Sequence, residues 1–178
     1  MSKIKLITRT AILLALAIIF QNFRYFIGAL PFSTYIIGSL VNLVIFIATG
    51  SVGLLSGIIV CLVTPIVALF QGHLPHFLLA PVTMLGNSVL AVTFYLFLKS
   101  KFSKPFNMLL GVIAGALIKW VFMYWFGIKV ILKLFIPELP AQKAAVISAS
   151  FNTPQIITAL IGGLLAIIII KMLKTDKT

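Results

Sequence analysis

Long apolar runs alternate with short polar breaks along the whole chain, and many of the breaks contain Gly or Pro. At about 20 residues per membrane crossing, the runs predict six helical spans, at about 6–22, 34–49, 52–70, 76–98, 106–127 and 145–171. The second is short, and Gly50-Ser51 joins it tightly to the third. Pro31, Gly72 with Pro75, Pro105, and Pro137 with Pro140 punctuate the remaining connections. The segment 128–144, with Lys129, Lys133 and Glu138, reads as an external loop able to hold a short interfacial helix. The pattern therefore predicts an all-α polytopic membrane protein, one six-helix bundle over residues 1–178. The first run follows Lys3, Lys5 and Arg9, and reads as an uncleaved helix rather than a signal peptide.

Composition supports this class: 62% of residues are hydrophobic and 9% charged, against roughly a quarter charged in soluble domains. A net charge of +12 would suggest a nucleic-acid partner in a soluble protein. Here the basic residues cluster at span ends, so no such partner is expected. Nine fall on one side, at the N-terminus, the fourth connection and the C-terminus. Four fall on the other, at Arg24, Lys129, Lys133 and Lys143; with Lys119 these account for all fourteen. The excess predicts that both termini lie in the cytoplasm.

The acidic residues narrow function further. Only Glu138 and Asp176 are present, and neither falls in a span. Ion-coupled transporters usually carry ionisable relays inside the membrane, and Mg²⁺-dependent phosphoryl transfer needs acidic clusters. No G-x-x-x-x-G-K-[ST] phosphate loop occurs. Ser51 in Gly50-Ser51-Val52-Gly53 falls at the opposite membrane face from His73 and His76, beyond hydrogen-bond reach, so it reads as part of a turn. The two histidines without carboxylate or thiolate support make a weak metal site, and Cys61 is the sole cysteine. Neither an enzyme nor a bound metal or cofactor is expected.

The rare polar residues share helix faces. His76, Ala80, Thr83 and Asn87 align on the fourth span, and Ser148, Asn152 and Gln155 on the sixth. Gly38 and Asn42 share a face of the second; Gly111, Gly115 and Lys119 follow one row of the fifth. Small residues mark faces where membrane helices approach closely, which turns Lys119 toward the bundle. At 1.5 Å per residue, Asn42, Asn152 and Lys119 lie roughly 10–12 Å below the outer surface and Asn87 roughly 16 Å. The expected result is a polar pocket in the outer half, roofed by loops carrying Arg24 and His73. Asn and Gln can equally serve as interhelical hydrogen-bonding groups. Lys119 costs about 2.5–3.5 kcal/mol to insert. Either it snorkels or bonds backbone carbonyls, or the ligand brings its counter-charge; the second reading is adopted. Side chains such as Trp120, Tyr124 and Phe126 are available for a ring on the ligand, and Trp120 and Trp125 serve equally well as interfacial anchors.

Six spans in under 200 residues, a short second span and a small-residue stripe on the first helix resemble the substrate-binding S component of an energy-coupling factor (ECF) transporter. The most local element is Ala11-Ile-Leu-Leu-Ala15, similar to the family's Ala-x-x-x-Ala motif. The stretch "SLVNLVIFIATGSVGLLSGIIVCLVTPIVALFQGHLP" also resembles the second and third spans of vitamin-type members. The resemblance implies a binding subunit in a bacterial plasma membrane. It takes a micronutrient from outside, and a transmembrane (T) subunit and two ATPases supply the energy. Thr8, Ala11 and Ala15 would face those partners. Metal-carrying members have His after the initiator Met, where Ser2 stands here, and cationic thiamine suits a Lys119 pocket poorly. A polar-neutral or anionic vitamin is favoured. The competing readings are a self-sufficient small transporter or channel, and a membrane enzyme acting on lipid-linked substrates.

Overall fold

The computed structural model describes residues 2–28, 32–74, 76–101 and 103–175. Pro31, Pro75 and Asp176 lie outside the described residues. The elements are α1 (Lys3–Ile27), α2 (Ser33–Ile47), α3 (Leu54–Phe70), α4 (Leu79–Leu98), α5 (Lys104–Phe122), α6 (Ala141–Ser150) and α7 (Thr153–Thr175). Two wider π-helical stretches extend this set: Ala48–Val52 continues α2, and Met123–Phe135 continues α5. No strand occurs among the described residues.

Five helical segments are long and apolar enough to cross a membrane: Lys3–Ile27, Ser33–Val52, Leu79–Leu98, Pro105–Phe135 and Ala141–Leu173. The remaining span, Leu54–Phe70, is apolar and 17 residues long, so it covers about 25 Å of a roughly 30 Å hydrocarbon layer. Large apolar side chains on the rim are exposed, Ile4, Phe26, Phe70 and Leu134 among them. A soluble monomer rarely leaves so much apolar surface uncovered; here it is the lipid-facing surface of a six-helix bundle.

α2 is the central helix. Val44, Ile45, Phe46 and Ala48 are each fully buried, which is why this span reads as apolar on all sides. Phe46 meets Phe94 of α4 edge-to-face at 4.8 Å. α7 lies against α2 so closely that a Cβ on Gly162 would stand 2.5 Å from the Ser39 carbonyl oxygen and 2.7 Å from the Leu43 nitrogen. Only glycine permits that approach. A smaller cluster, built on Leu79, Met123, Ile147 and Phe151, closes the end opposite the termini.

Four boundaries depart from the sequence reading. α1 runs to Ile27 instead of 22, so Arg24 sits in a helical turn rather than a loop. α4 starts at Leu79, leaving His76 in the connection before it. The fifth span does not stop at Gly127: no proline occurs before Pro137, and the helix winds on to Phe135. Much of the expected loop 128–144 is thus helical. The sixth span is split at Phe151-Asn152. Pro154 in the first turn of α7 has no N–H for the Ser150 carbonyl and would clash with it in a continuous helix. The Gln155 side-chain amide donates to that carbonyl instead, at 2.9 Å. Ser148, Asn152 and Gln155 consequently do not form one helical stripe.

Candidate functional site

A cavity of about 170 Å³ opens within the half of the bundle opposite the termini, and every one of the six spans contributes to its wall. Lys119 enters from α5 and is 3% exposed. Its Nζ donates to Asn42 Oδ1 on α2 at 2.8 Å. Asn42 Nδ2 donates in turn to Thr158 Oγ1 on α7 at 3.1 Å, and the Thr158 hydroxyl points back to the Gln155 carbonyl at 3.4 Å. One relay of hydrogen bonds therefore ties three helices to the ammonium group.

The opposite wall is built from α1 and α3. Gln21, 6% exposed, donates from Nε2 to the Thr64 carbonyl at 3.0 Å. Pro65 stands beside it in the middle of α3; lacking an N–H, it leaves the Cys61 carbonyl without its helical donor and loosens the helix where the cavity begins. Arg24 lies one turn beyond Gln21 on the same face and also lines the cavity. Nearby, Gln71 Nε2 donates to Asn22 Oδ1 at 2.9 Å, a second tie between α1 and the end of α3. α4 supplies Thr83 and Asn87. The Thr83 hydroxyl is spent on the Leu79 carbonyl at 2.8 Å, whereas Asn87, 4% exposed, makes no side-chain hydrogen bond to a described residue.

Of the residues singled out from the sequence, Lys119, Asn42, Asn87, Gln155 and Arg24 meet at this cavity. His76 and Asn152 do not line it. His76 Nδ1 accepts from the Leu78 amide at 3.2 Å, and its ring stacks on Phe77. Asn152 Oδ1 accepts from Trp120 Nε1 at 3.0 Å. The aromatic residues expected near a ligand ring also lie elsewhere. Trp120 is engaged with Asn152, Tyr124 sits under Lys129 at 5.6 Å, and Phe126 stacks on Phe122. No Phe, Tyr or Trp, and no carboxylate, occurs among the described lining residues.

Gln21, Thr34, Thr64 and Thr158 are polar cavity residues that the sequence did not single out. Gln21 falls beside the expected end of the first span, where polar residues are ordinary. Its signal is the spacing of the buried inner face of α1, Thr10, Ala17 and Gln21. A threonine in a membrane helix usually bonds its own i−4 carbonyl, as Thr64 does to Val60 at 2.8 Å, and so gives no signal. His73, in the α3–α4 connection, reaches the cavity mouth. Partial burial, and secondarily the charge of Arg24, hold its imidazole pKa below the ordinary value of 6.5.

On α1 the opposite face carries Thr8, Ala11 and Ala15, all exposed. They pack against nothing in the isolated chain's core, which α1 meets through Ala17.

The family model described as "ECF transporter, substrate-specific component" matches residues 5–174. No curated protein and no solved structure matches the chain. A match spanning nearly the whole chain, on a six-helix membrane bundle with a polar cavity, places this protein in the family of ECF transporter substrate-specific components, which are substrate-binding subunits of transporters and not enzymes.

Proposed function

We propose that this subunit binds a small anionic nutrient, a water-soluble vitamin or related micronutrient, in the cavity around Lys119. The observation that carries the reading is the environment of that lysine. A buried ammonium donates to a neutral amide, Asn42, in a cavity that Arg24 also lines and where no carboxylate stands among the described lining residues. Burying a cation without a counter-charge is costly, and an anionic ligand removes that cost when it binds. Lys119 and Arg24 then supply charge, while Asn42, Asn87 and Gln155 supply orientation. His76 and Asn152 support the surrounding connections. The distribution of basic residues favours both termini inside the cell, which sets the cavity in the outer half of the membrane.

In this reading the chain captures its ligand alone and is energised by others. The T subunit and two ATPases import the ligand, with the exposed Thr8, Ala11 and Ala15 face of α1 as the docking surface. The test is uptake into sealed vesicles. Vesicles holding this chain alone should bind ligand without accumulating it under an ion gradient, and accumulation should appear when the partner subunits and ATP are supplied. Accumulation by the chain alone would instead make it a self-sufficient transporter.

A further inference from the structure

The end of the bundle that carries the termini has a cleft of its own, far from the cavity around Lys119. α1 and α7 each pack on the π-helical stretch Ala48–Val52 but scarcely on each other, and the cleft opens between them over that stretch. Ile12, Leu13, Ile47, Val52 and Leu173 make most of its wall apolar, and Arg9 is the charged residue that lines it. Ile12 and Leu173 are exposed, so the cleft gives onto the lipid-facing surface of the bundle.

The order of chemistry along α1 matters here. Lys5, Arg9, Ile12 and Leu13 follow one face at steps of three and four. Read inward from the terminus, that face is basic, basic and then apolar. Lys5 and Arg9 are about 6 Å apart along the helix axis, comparable with the roughly 5–7 Å of headgroup layer on each side of a bilayer. The apolar wall begins one turn deeper. A phospholipid presents the same order, a polar head at the surface and acyl chains below it. Sign is set by the surroundings: Lys3, Lys5, Arg9, Lys99, Lys101 and Lys171 all stand at this end of the bundle. Like charges four residues apart on a helix repel, and a negative headgroup between Lys5 and Arg9 replaces that repulsion with attraction.

We infer that this cleft is a binding site for a phospholipid of net negative charge, its headgroup at Lys5 and Arg9 and one acyl chain against Ile12, Leu13 and Val52. The site is separate from the ligand cavity and does not depend on what that cavity binds. Each basic residue at the headgroup layer is worth about 5-fold in affinity for an anionic lipid. The competing occupant is the T subunit, because the exposed Thr8, Ala11 and Ala15 face lies beside the cleft on α1.

The experiment is native mass spectrometry of the full chain taken from bilayers of phosphatidylglycerol and phosphatidylcholine in equal amounts, with identical acyl chains. The wild type is expected to retain phosphatidylglycerol in about 5- to 30-fold preference. Arg9→Gln should lower the preference about 5-fold, whereas Lys101→Gln, which removes the same charge away from the cleft, should leave it close to wild type. Ile12→Trp fills the cleft without altering charge and should release the bound lipid. Equal retention of the two lipids by the wild type overturns the inference without recourse to any variant. A preference lowered as far by Lys101→Gln as by Arg9→Gln also overturns it, and assigns the effect to the diffuse charge of this end. Retention that survives Ile12→Trp places the lipid elsewhere. If the wild type retains no lipid the inference falls, and co-purification of Ile12→Trp with the T subunit then shows whether the partner protein fills the cleft.

Discussion

Thr10 and Lys119 are both buried polar residues on apolar helices, at opposite ends of one bundle, and their surroundings differ. The Thr10 hydroxyl donates to the Leu6 carbonyl at 2.8 Å and meets Ser56 Oγ at 2.9 Å, so nothing is left over. Around it the core of the terminal half is filled by Val44, Phe46 and Phe94, with open clefts at its rim beside Arg9 and Lys99. Thr49 is settled in the same way on its own Ile45 carbonyl, whereas the buried Ser51 Oγ meets no partner among the described residues. In the other half Lys119, Asn87 and Gln21 retain hydrogen-bonding capacity around a cavity. Polar groups that hold a bundle together are for the most part satisfied within it, and in the proposed reading the capacity left around Lys119 is taken up by the ligand.

The largest effect expected from disturbing this division lies outside both halves. Replacing Ala11 and Ala15 together by Trp fills the exposed face of α1 and should reduce uptake by the assembled transporter to background. Ligand affinity of the isolated chain should stay nearly constant, since neither residue lines the cavity. Co-purification with the T subunit measures the first effect and calorimetry the second. Lost affinity with an intact complex would make the stripe internal packing.

Gly162→Leu attacks the packed seam. Its side chain would meet backbone atoms of α2 that cannot swing aside, and overpacking of this kind costs about 1–3 kcal/mol, occasionally more. A large fall in melting temperature is expected, and an unchanged one would show that α2 and α7 separate readily.

The smallest effect belongs to the cavity mouth. The His73 pKa is depressed in the folded chain by burial and by Arg24. The unfolded chain therefore takes up a proton more readily, and folded stability is complete above pH 6.5 and is lost as pH falls toward and through the depressed value. His73 is only half-buried, so the slope is shallow. A melting-temperature series from pH 8 to pH 5 should fall gently in the wild type and flatten in His73→Asn. Equal slopes would remove His73 from the electrostatics of the site.

The six spans were legible because a membrane helix must be apolar over its length. Lys119, Asn42, Asn87 and Gln155 were legible because polar residues there are rare enough to be noticed singly. The split at Phe151-Asn152 was not, because Pro154 can as easily open a helix as kink one. Only the local geometry, with Gln155 taking over the Ser150 carbonyl, distinguishes the two. The helical continuation to Phe135 was hidden by Lys129 and Lys133, which suggest solvent although long basic side chains reach water from helical positions. Gln21 went unread at a span boundary, where a glutamine is ordinary until its neighbours are known.

That Lys119 serves the ligand rather than the bundle is tested most directly by Lys119→Met, which keeps the apolar stem and removes the ammonium. Affinity for the ligand and melting temperature would be measured together in detergent. Binding should weaken by about 2–5 kcal/mol, the range for truncating one member of a buried charge pair. The melting temperature should hold or rise, because an uncompensated buried charge is gone and Asn42 still bonds Thr158. Unchanged affinity with a lowered melting temperature would contradict this, and would make Lys119 a structural tie between α5 and α2.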